Sequence, residues 1–213
     1  MTTPEQSEAR RKAILEAAMT LFDRQGYSAA TMEEVAAGAG ISKGSIYNYF
    51  QSKQDLFAQL FTETMAADET DAEAIFDRSA PSSCKLRELM DFWFSRLESH
   101  LRVGRLTLEF WAAAAREERS GHLAEILQET YTRWLDRIAP VIADGVRAGE
   151  FQSDLDPRAA ATWYIGLLNG LLLHMILNIG ATVDEQMLPS LEHSVLAALG
   201  ARPDLAPADG SEA

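Results

Sequence analysis

Three helix starts crowd into residues 31–52, and this punctuation constrains the fold more than any other feature of the chain. Thr31-Met-Glu-Glu34 fits a capping box: the threonine hydroxyl accepts from the backbone three residues on, and the Glu34 carboxylate reaches back. The helix it opens runs from Met32 to about Ala39, where Gly40 breaks it. Ser42 then caps a second short helix through about Phe50. Ser52 caps a longer one, with Asp55 near the positive end of its dipole. Upstream, Ile14, Ala17, Ala18, Leu21 and Phe22 share one helix face, and Gly26 ends that helix. Residues 9–50 therefore predict helix, short helix, tight glycine turn, short helix: a helix-turn-helix inside a three-helix unit. The candidate core is Ile14, Leu21, Phe22, Met32, Val35, Ile41, Ile46 and Phe50. So few apolar residues bury little surface, and the unit is expected to lean on the helix starting near Lys53.

The rest of the chain keeps the helical period, and β-branched alternation is missing. The spacing predicts helices from Lys53 to about Arg78, Cys84 to Leu101, Leu106 to Arg116, and His122 to about Ala148 with Pro140 inside. Asp156-Pro157 reads as an N-cap followed by proline at the first helical position, opening a helix to about Ile179. A last helix is expected from about Asp184 to Leu199. The fold class is all-α, with about nine helices. The expected domains are residues 1–52, a helix-turn-helix domain; residues 53–200, a larger helical domain; and residues 201–213, a Pro/Asp/Ala-rich disordered tail.

Charge divides the chain unevenly. Of a net charge of -13 over 213 residues, residues 1–60 carry little, since Arg10, Arg11, Lys12, Arg24, Lys43 and Lys53 nearly balance the acids there. The acidity lies behind the helix-turn-helix and argues against nonspecific binding of nucleic acid by the whole surface. The single cysteine, Cys84, cannot form an intrachain disulfide, and Met1–Leu15 lacks a signal-peptide stretch, so a cytoplasmic location is expected. Residues 159–183 contain no Asp, Glu, Lys or Arg, enough to cross a bilayer by length. Asn169, His174 and Asn178, the Gly166/Gly170 pair and the lack of a flanking basic cluster favour a buried helix and no membrane contact.

Wound into a helix, Lys43–Phe50 sends Ile46 and Phe50 inward and Lys43, Gly44, Tyr47 and Asn48 outward, with Ser45 and Tyr49 flanking. An amide such as Asn48 can pair with a base edge, Tyr47 can meet a phosphate or a thymine methyl, and Gly44 lets the backbone approach closely. Helix starts at Thr31 and Ser42 offer N–H groups to phosphate, and Lys53 offers a cation. The competing reading is an ordinary exposed helix in an all-helical small-molecule-binding or scaffold protein whose helix-turn-helix no longer works. Catalysis has little support: His100, His122, His174 and His193 are scattered, with no metal-ligand spacing and no nucleotide loop. Neither metal, cofactor nor enzyme activity is expected. In the later half, Trp93, Phe94, Phe110, Trp111, Tyr131, Trp134 and His174 are candidates to line a pocket, and Glu109 is expected to make a salt bridge.

The run Thr31 to Leu56, with Val35-Ala36, Ala39-Gly-Ile-Ser42, Gly44, Tyr47, Tyr49-Phe50 and Ser52-Lys53, resembles the signature of the tetracycline-repressor (TetR) family. The resemblance covers roughly residues 9–60. It implies base or backbone contacts from Lys43, Gly44, Ser45, Tyr47, Asn48 and Tyr49 and phosphate contacts from Thr31 and Lys53. Position 48 varies within the family, so operator choice is expected there. Glu109-Phe-Trp-Ala, Arg147-Ala-Gly-Glu-Phe151 and Asp154-Leu-Asp-Pro-Arg158 are similar to the C-terminal domain of the choline-responsive repressor branch, as scaffold features that identify no ligand. The resemblance implies a homodimeric repressor on a palindromic double-stranded DNA operator, released by a small-molecule effector, with residues 53–200 as the effector-binding and dimerisation domain. Its interface would use the last two helices, with Leu167, Gly170, Leu171, Leu172 and Leu196 as candidates.

Overall fold

The computed structural model describes residues 3–116, 121–180 and 187–201; all of the expected tail but Ala201 lies outside them. Among these residues the chain is helical throughout, in the order α1 Pro4–Gln25, α2 Met32–Gly38, α3 Lys43–Ile46, α4 Lys53–Asp77, α5 Ser82–Ser95, α6 Leu97–Ala114, α7 His122–Ala148, α8 Pro157–Ile176 and α9 Met187–Ala198. It packs as two compact units, one of residues 1–68 and 101–130, the other of residues 69–100 and 131–213.

The first unit holds α1–α3, the opening of α4, most of α6 and the start of α7. Its core joins Ile14, Phe22, Val35, Ile46 and Phe50 to Leu56, Phe57 and Phe61 of α4, as the small three-helix core requires. It also draws in Leu106 and Phe110 of α6 and Leu123 of α7. A chain of aromatic rings runs through it. Tyr27 stacks on Phe57 at 4.1 Å, Phe57 meets Phe110 at 5.2 Å, and Phe110 stacks on Phe61 at 4.0 Å. Two expected core residues, Leu21 and Ile41, are only partly buried.

The second unit buries Leu86, Met90 and Phe94 of α5, Ile138 and Ile142 of α7, Tyr164 of α8 and Leu196 of α9. The Tyr164 hydroxyl is enclosed and donates to the Leu86 carbonyl at 2.8 Å, and burial pushes its pKa up. Glu150, just past α7, accepts from the Ser82 and Ser83 amides at 3.0 Å each and from the Ser83 hydroxyl at 2.9 Å. It thereby caps α5 from a distance, because Pro81 at the N-cap position has no side-chain acceptor.

The break between α5 and α6 differs from expectation. The break falls at Arg96, not between Leu101 and Leu106, and α6 runs unbroken through Gly104. Arg96 leaves helical geometry at φ -107°, ψ 19°. It pairs with Asp71 at 2.5 Å and lies over the Phe92 ring at 4.5 Å. Those are contacts with α4 and α5, and no local breaker residue marks the position.

Candidate nucleic-acid interface

The capping box forms as read: the Thr31 amide and hydroxyl donate to Glu34 Oε2 at 2.9 and 2.8 Å, and the Glu34 amide donates to Thr31 Oγ1 at 3.2 Å. At the other end of α2, Gly40 takes φ +68°. That left-handed backbone lets the Ile41 amide reach the Ala36 carbonyl at 2.9 Å and the Gly40 amide reach that of Ala37 at 3.1 Å, closing the turn. Ser42 Oγ then accepts from the Ser45 amide at 3.2 Å and opens α3.

The α-helical part of α3 is shorter than the expected Lys43–Phe50. After Ile46 the amides of Asn48 and Tyr49 bond three residues back, to Ser45 and Ile46, so the helix tightens into turns. The side-chain directions nonetheless match expectation. Ile46 and Phe50 are fully buried, whereas Lys43, Gly44 and Asn48 are exposed and Tyr47 is 47% exposed. Ser45 and Tyr49 sit half-buried beside them. A Cβ on Gly44 would meet nothing within 4 Å, so the fold does not require glycine there.

The cations have specific partners. Lys43 pairs with Glu33 of α2; this contact holds the Glu33 carboxyl below its usual range and raises the Lys43 ammonium, so both are charged at neutral pH. Arg11 bonds Gln59 at 2.8 Å, pairs with Glu63 and lies over the Phe50 ring. Lys53 donates to the carbonyls of Tyr27 at 2.9 Å, Ser28 at 3.2 Å and Ala30 at 2.9 Å, and its ammonium sits 4.5 Å from the Tyr27 ring. All three of its N–H groups thus hold the loop between α1 and α2. Glu109, expected in a salt bridge, accepts instead from the Tyr27 amide. Sequence reasoning passed over Glu33 and this Tyr27–Glu109 bond. A signal was present: Gly26-Tyr27-Ser28 follows a helix end, where backbone groups need partners.

The aromatic candidates fall in different cores. Phe110 is sealed among Phe57 and Phe61 in the first unit, where Trp111 lies beside it in sequence, half-buried. In the second unit Trp93 and Phe94 meet edge to face at 5.1 Å, Trp134 faces Phe76 at 6.4 Å, and the Tyr131 hydroxyl accepts from Asn169 at 2.9 Å. His174 is exposed. Of the interface candidates, Leu172 and Leu196 are buried within the chain, while Leu167, Gly170 and Leu171 are partly exposed.

The helix that holds most of the uncharged run is not enclosed among the described residues. α8 is long and apolar enough to cross a membrane by length and composition, yet only 22% of its most apolar window is buried. Leu177 and Ile179, just past it, are each 53% exposed. Among the described residues, no group of three His, Cys, Asp or Glu is placed to hold a metal.

Residues 14–60 match the TetR family of bacterial regulatory proteins, and residues 83–200 match the C-terminal region of BetI-type transcriptional repressors. The chain is 31% identical over 152 residues to the uncharacterised HTH-type transcriptional regulator YhgD of Bacillus subtilis (strain 168), across 71% of this chain and 76% of that one. It is 29% identical over 154 residues to the HTH-type transcriptional repressor KstR2 of Mycobacterium tuberculosis, across 71% and 74% of the two chains. The fold is similar to that of the transcriptional regulator FadR from Bacillus subtilis, solved with stearoyl-CoA, at a TM-score of 0.73 and 25% identity over 88% of this chain and 96% of that one. With its helix-turn-helix and its C-terminal region both accounted for, the chain belongs to the TetR family of ligand-responsive, DNA-binding transcriptional regulators, whose members act on operator DNA as homodimers.

Proposed function

We propose that this chain represses transcription by placing the outward face of α3 in the major groove of a palindromic operator, once from each protomer of a homodimer. The observation that carries the reading is the division of one short segment into two faces. Ile46 and Phe50 are locked in the core, while the adjoining Asn48 is exposed and Tyr47 leaves 47% of its surface open. Gly44 adds support, because an exposed helical glycine costs about 1 kcal/mol against alanine and the fold has no need of it. Lys43, Tyr47 and Asn48 are assigned to base edges and phosphates, Gly44 to close backbone approach, and Ser45 and Tyr49 to the flanks. Thr31 and Ser42 contribute through the backbone at their helix starts, since their hydroxyls are spent on capping.

The test is a binding titration on an operator selected from random duplexes. Tyr47→Ala and Asn48→Ala are each expected to lower operator affinity at least tenfold, as loss of about 1–3 kcal/mol of base discrimination requires. Their thermal unfolding midpoints should match wild type. An Asn48→Ala protein that bound every sequence as well as wild type would sink the assignment.

A second copy of the chain is proposed to cover α8, meeting Leu167, Gly170 and Leu171 and the exposed Leu177 and Ile179, in place of a membrane. Leu171→Asp is expected to convert a dimer into monomers in sedimentation and to remove operator binding with them. A variant that stayed dimeric would place the interface elsewhere. The effector is proposed to bind in residues 53–200 near Trp93, Phe94, Tyr131, Trp134 or His174 of the second unit. It would act by preferring one of two arrangements of the reading helices. The chain is proposed to act by binding in the cytoplasm, without catalysis.

A further inference from the structure

We propose that Arg10, on the flank of α1 that adjoins the reading segment, grips a phosphate of the DNA backbone beside α3. The inference rests on the reading of α3 given above, because a flank next to a helix seated in a groove meets the phosphates that wall it. Two cations of this unit are already engaged, Arg11 with Gln59 and Glu63 and Lys53 with three carbonyls. The exposed cations of α1 are Arg10, Lys12 and Arg24. Their places on the helix separate them.

Seven residues make almost two whole turns, so Arg10, Ala17 and Arg24 form one stripe of α1. Ala17 fixes the direction of that stripe. A Cβ on Gly38, at the end of α2, would lie 3.3 Å from the Ala17 Cβ. Near the other end of α1, the Gln25 side chain donates to Glu34 in the first turn of α2 at 3.3 Å. α2 therefore runs back along α1, and the Gly40 turn and α3 follow toward the N-terminal half of α1. Arg11 fits this direction, with its guanidinium 5.7 Å from the centroid of the Phe50 ring. Arg10 stands about 10 Å beyond Ala17 toward that end. Arg24 stands about as far the other way, beside the start of α2.

The acids of α1 keep clear of the stripe. Glu5, Glu8, Glu16 and Asp23 lie roughly 120–160° around the helix from Arg10. Lys12 is on their side, lining a groove between α1 and α4 with Glu16, Met19, Leu60 and Glu63. α3 itself carries no carboxylate. Arg10 has no hydrogen-bond or ion-pair partner among the described residues. A phosphate can reach it without displacing a protein carboxylate, whereas Lys43 must first give up Glu33. In a chain of net charge -13, this is a local attraction for a polyanion at the edge of the reading face.

The test compares full-length wild type, Arg10→Ala, Arg10→Lys and Lys12→Ala by fluorescence anisotropy. The probes are the selected operator and a random-sequence duplex, from 50 to 200 mM salt. Arg10→Ala is expected to weaken binding of both duplexes about threefold at 100 mM salt, the scale of one exposed ion pair. The two losses should be alike, because a phosphate contact carries no sequence information. The slope of log affinity against log salt should become shallower by about 0.9, the signature of one phosphate fewer. Arg10→Lys keeps the charge and should keep the slope. Lys12→Ala makes the same change of net charge on the other side of α1 and should leave the slope as in wild type. Alanine suits an exposed helical site, so the unfolding midpoints should agree. An Arg10→Ala slope equal to that of wild type would overturn the proposal. So would an equal loss in Lys12→Ala, which would reduce the effect to net charge. A wild type that binds operator and random duplex alike would overturn the reading of α3, while the random-duplex comparison still judges Arg10 by itself. A wild type that binds neither would overturn both.

Discussion

Phe110→Ala is expected to destabilise the protein by about 3–5 kcal/mol, the range for truncating a buried aromatic. The position is 0% exposed and is stacked on Phe61 and against Phe57, so few neighbours can move to refill the space. That loss is a large fraction of the stability of an ordinary domain. Operator binding should fall with it, although Phe110 lies far along the chain from α3, because the same aromatic run continues through Phe57 to Tyr27 and Phe22. Chemical denaturation followed by tryptophan fluorescence measures the first effect, and anisotropy on operator DNA the second. A stable Phe110→Ala protein with altered effector response alone would return Phe110 to the list of pocket residues. The same packing means that residues 1–52 alone should not fold cooperatively, since part of their core is supplied by α4, α6 and α7.

Lys53→Met is expected to cost about 3 kcal/mol, because it removes three charge-assisted hydrogen bonds and strands partly buried carbonyls. Methionine keeps most of the side-chain volume, so the loss reports the ammonium. The consequence for function follows from position. Ala30, whose carbonyl Lys53 holds, directly precedes the Thr31 cap of α2, and α2 packs on α3. Freed from Lys53, the loop no longer sets the attitude of the reading face, and operator affinity should fall more than random-duplex affinity. Urea unfolding and paired titrations measure both. If Lys53→Met were as stable as wild type and lost affinity equally on all DNA with a shallower salt slope, Lys53 would be a simple phosphate contact.

Much of the reading head was legible in the sequence because its determinants are local. The Thr31/Glu34 box, Gly40, Ser42 and Ser52 each act within five residues, and Ile46 and Phe50 declare their face by spacing alone. What was not legible came from partners distant in sequence. Arg96 ends α5 through Asp71, which lies 25 residues away. Phe110 reads equally well as pocket or core until α4 is beside it. Lys53, an exposed-looking cation at a helix start, is committed to carbonyls 23 to 26 residues upstream. α8 illustrates the reverse: its composition calls for a partner, and among the described residues most of it is only partly covered. Its lack of charge reads as a buried helix, the resemblance reads it as a dimer interface, and the exposed Leu177 and Ile179 support the proposal that a second copy covers it.

The central claim is that the outward face of α3, presented twice by a dimer, reads DNA sequence. Selection of bound duplexes from a random pool by the full-length protein tests it most directly. The account predicts enrichment of an inverted repeat with half-site centres about 34–36 Å apart, one helical turn, or a multiple of that distance. Repeating the selection with Asn48→Ala should relax the same position in both halves. A pool that shows no enrichment over many rounds, or an inverted repeat unchanged by substitutions at both Tyr47 and Asn48, would contradict it.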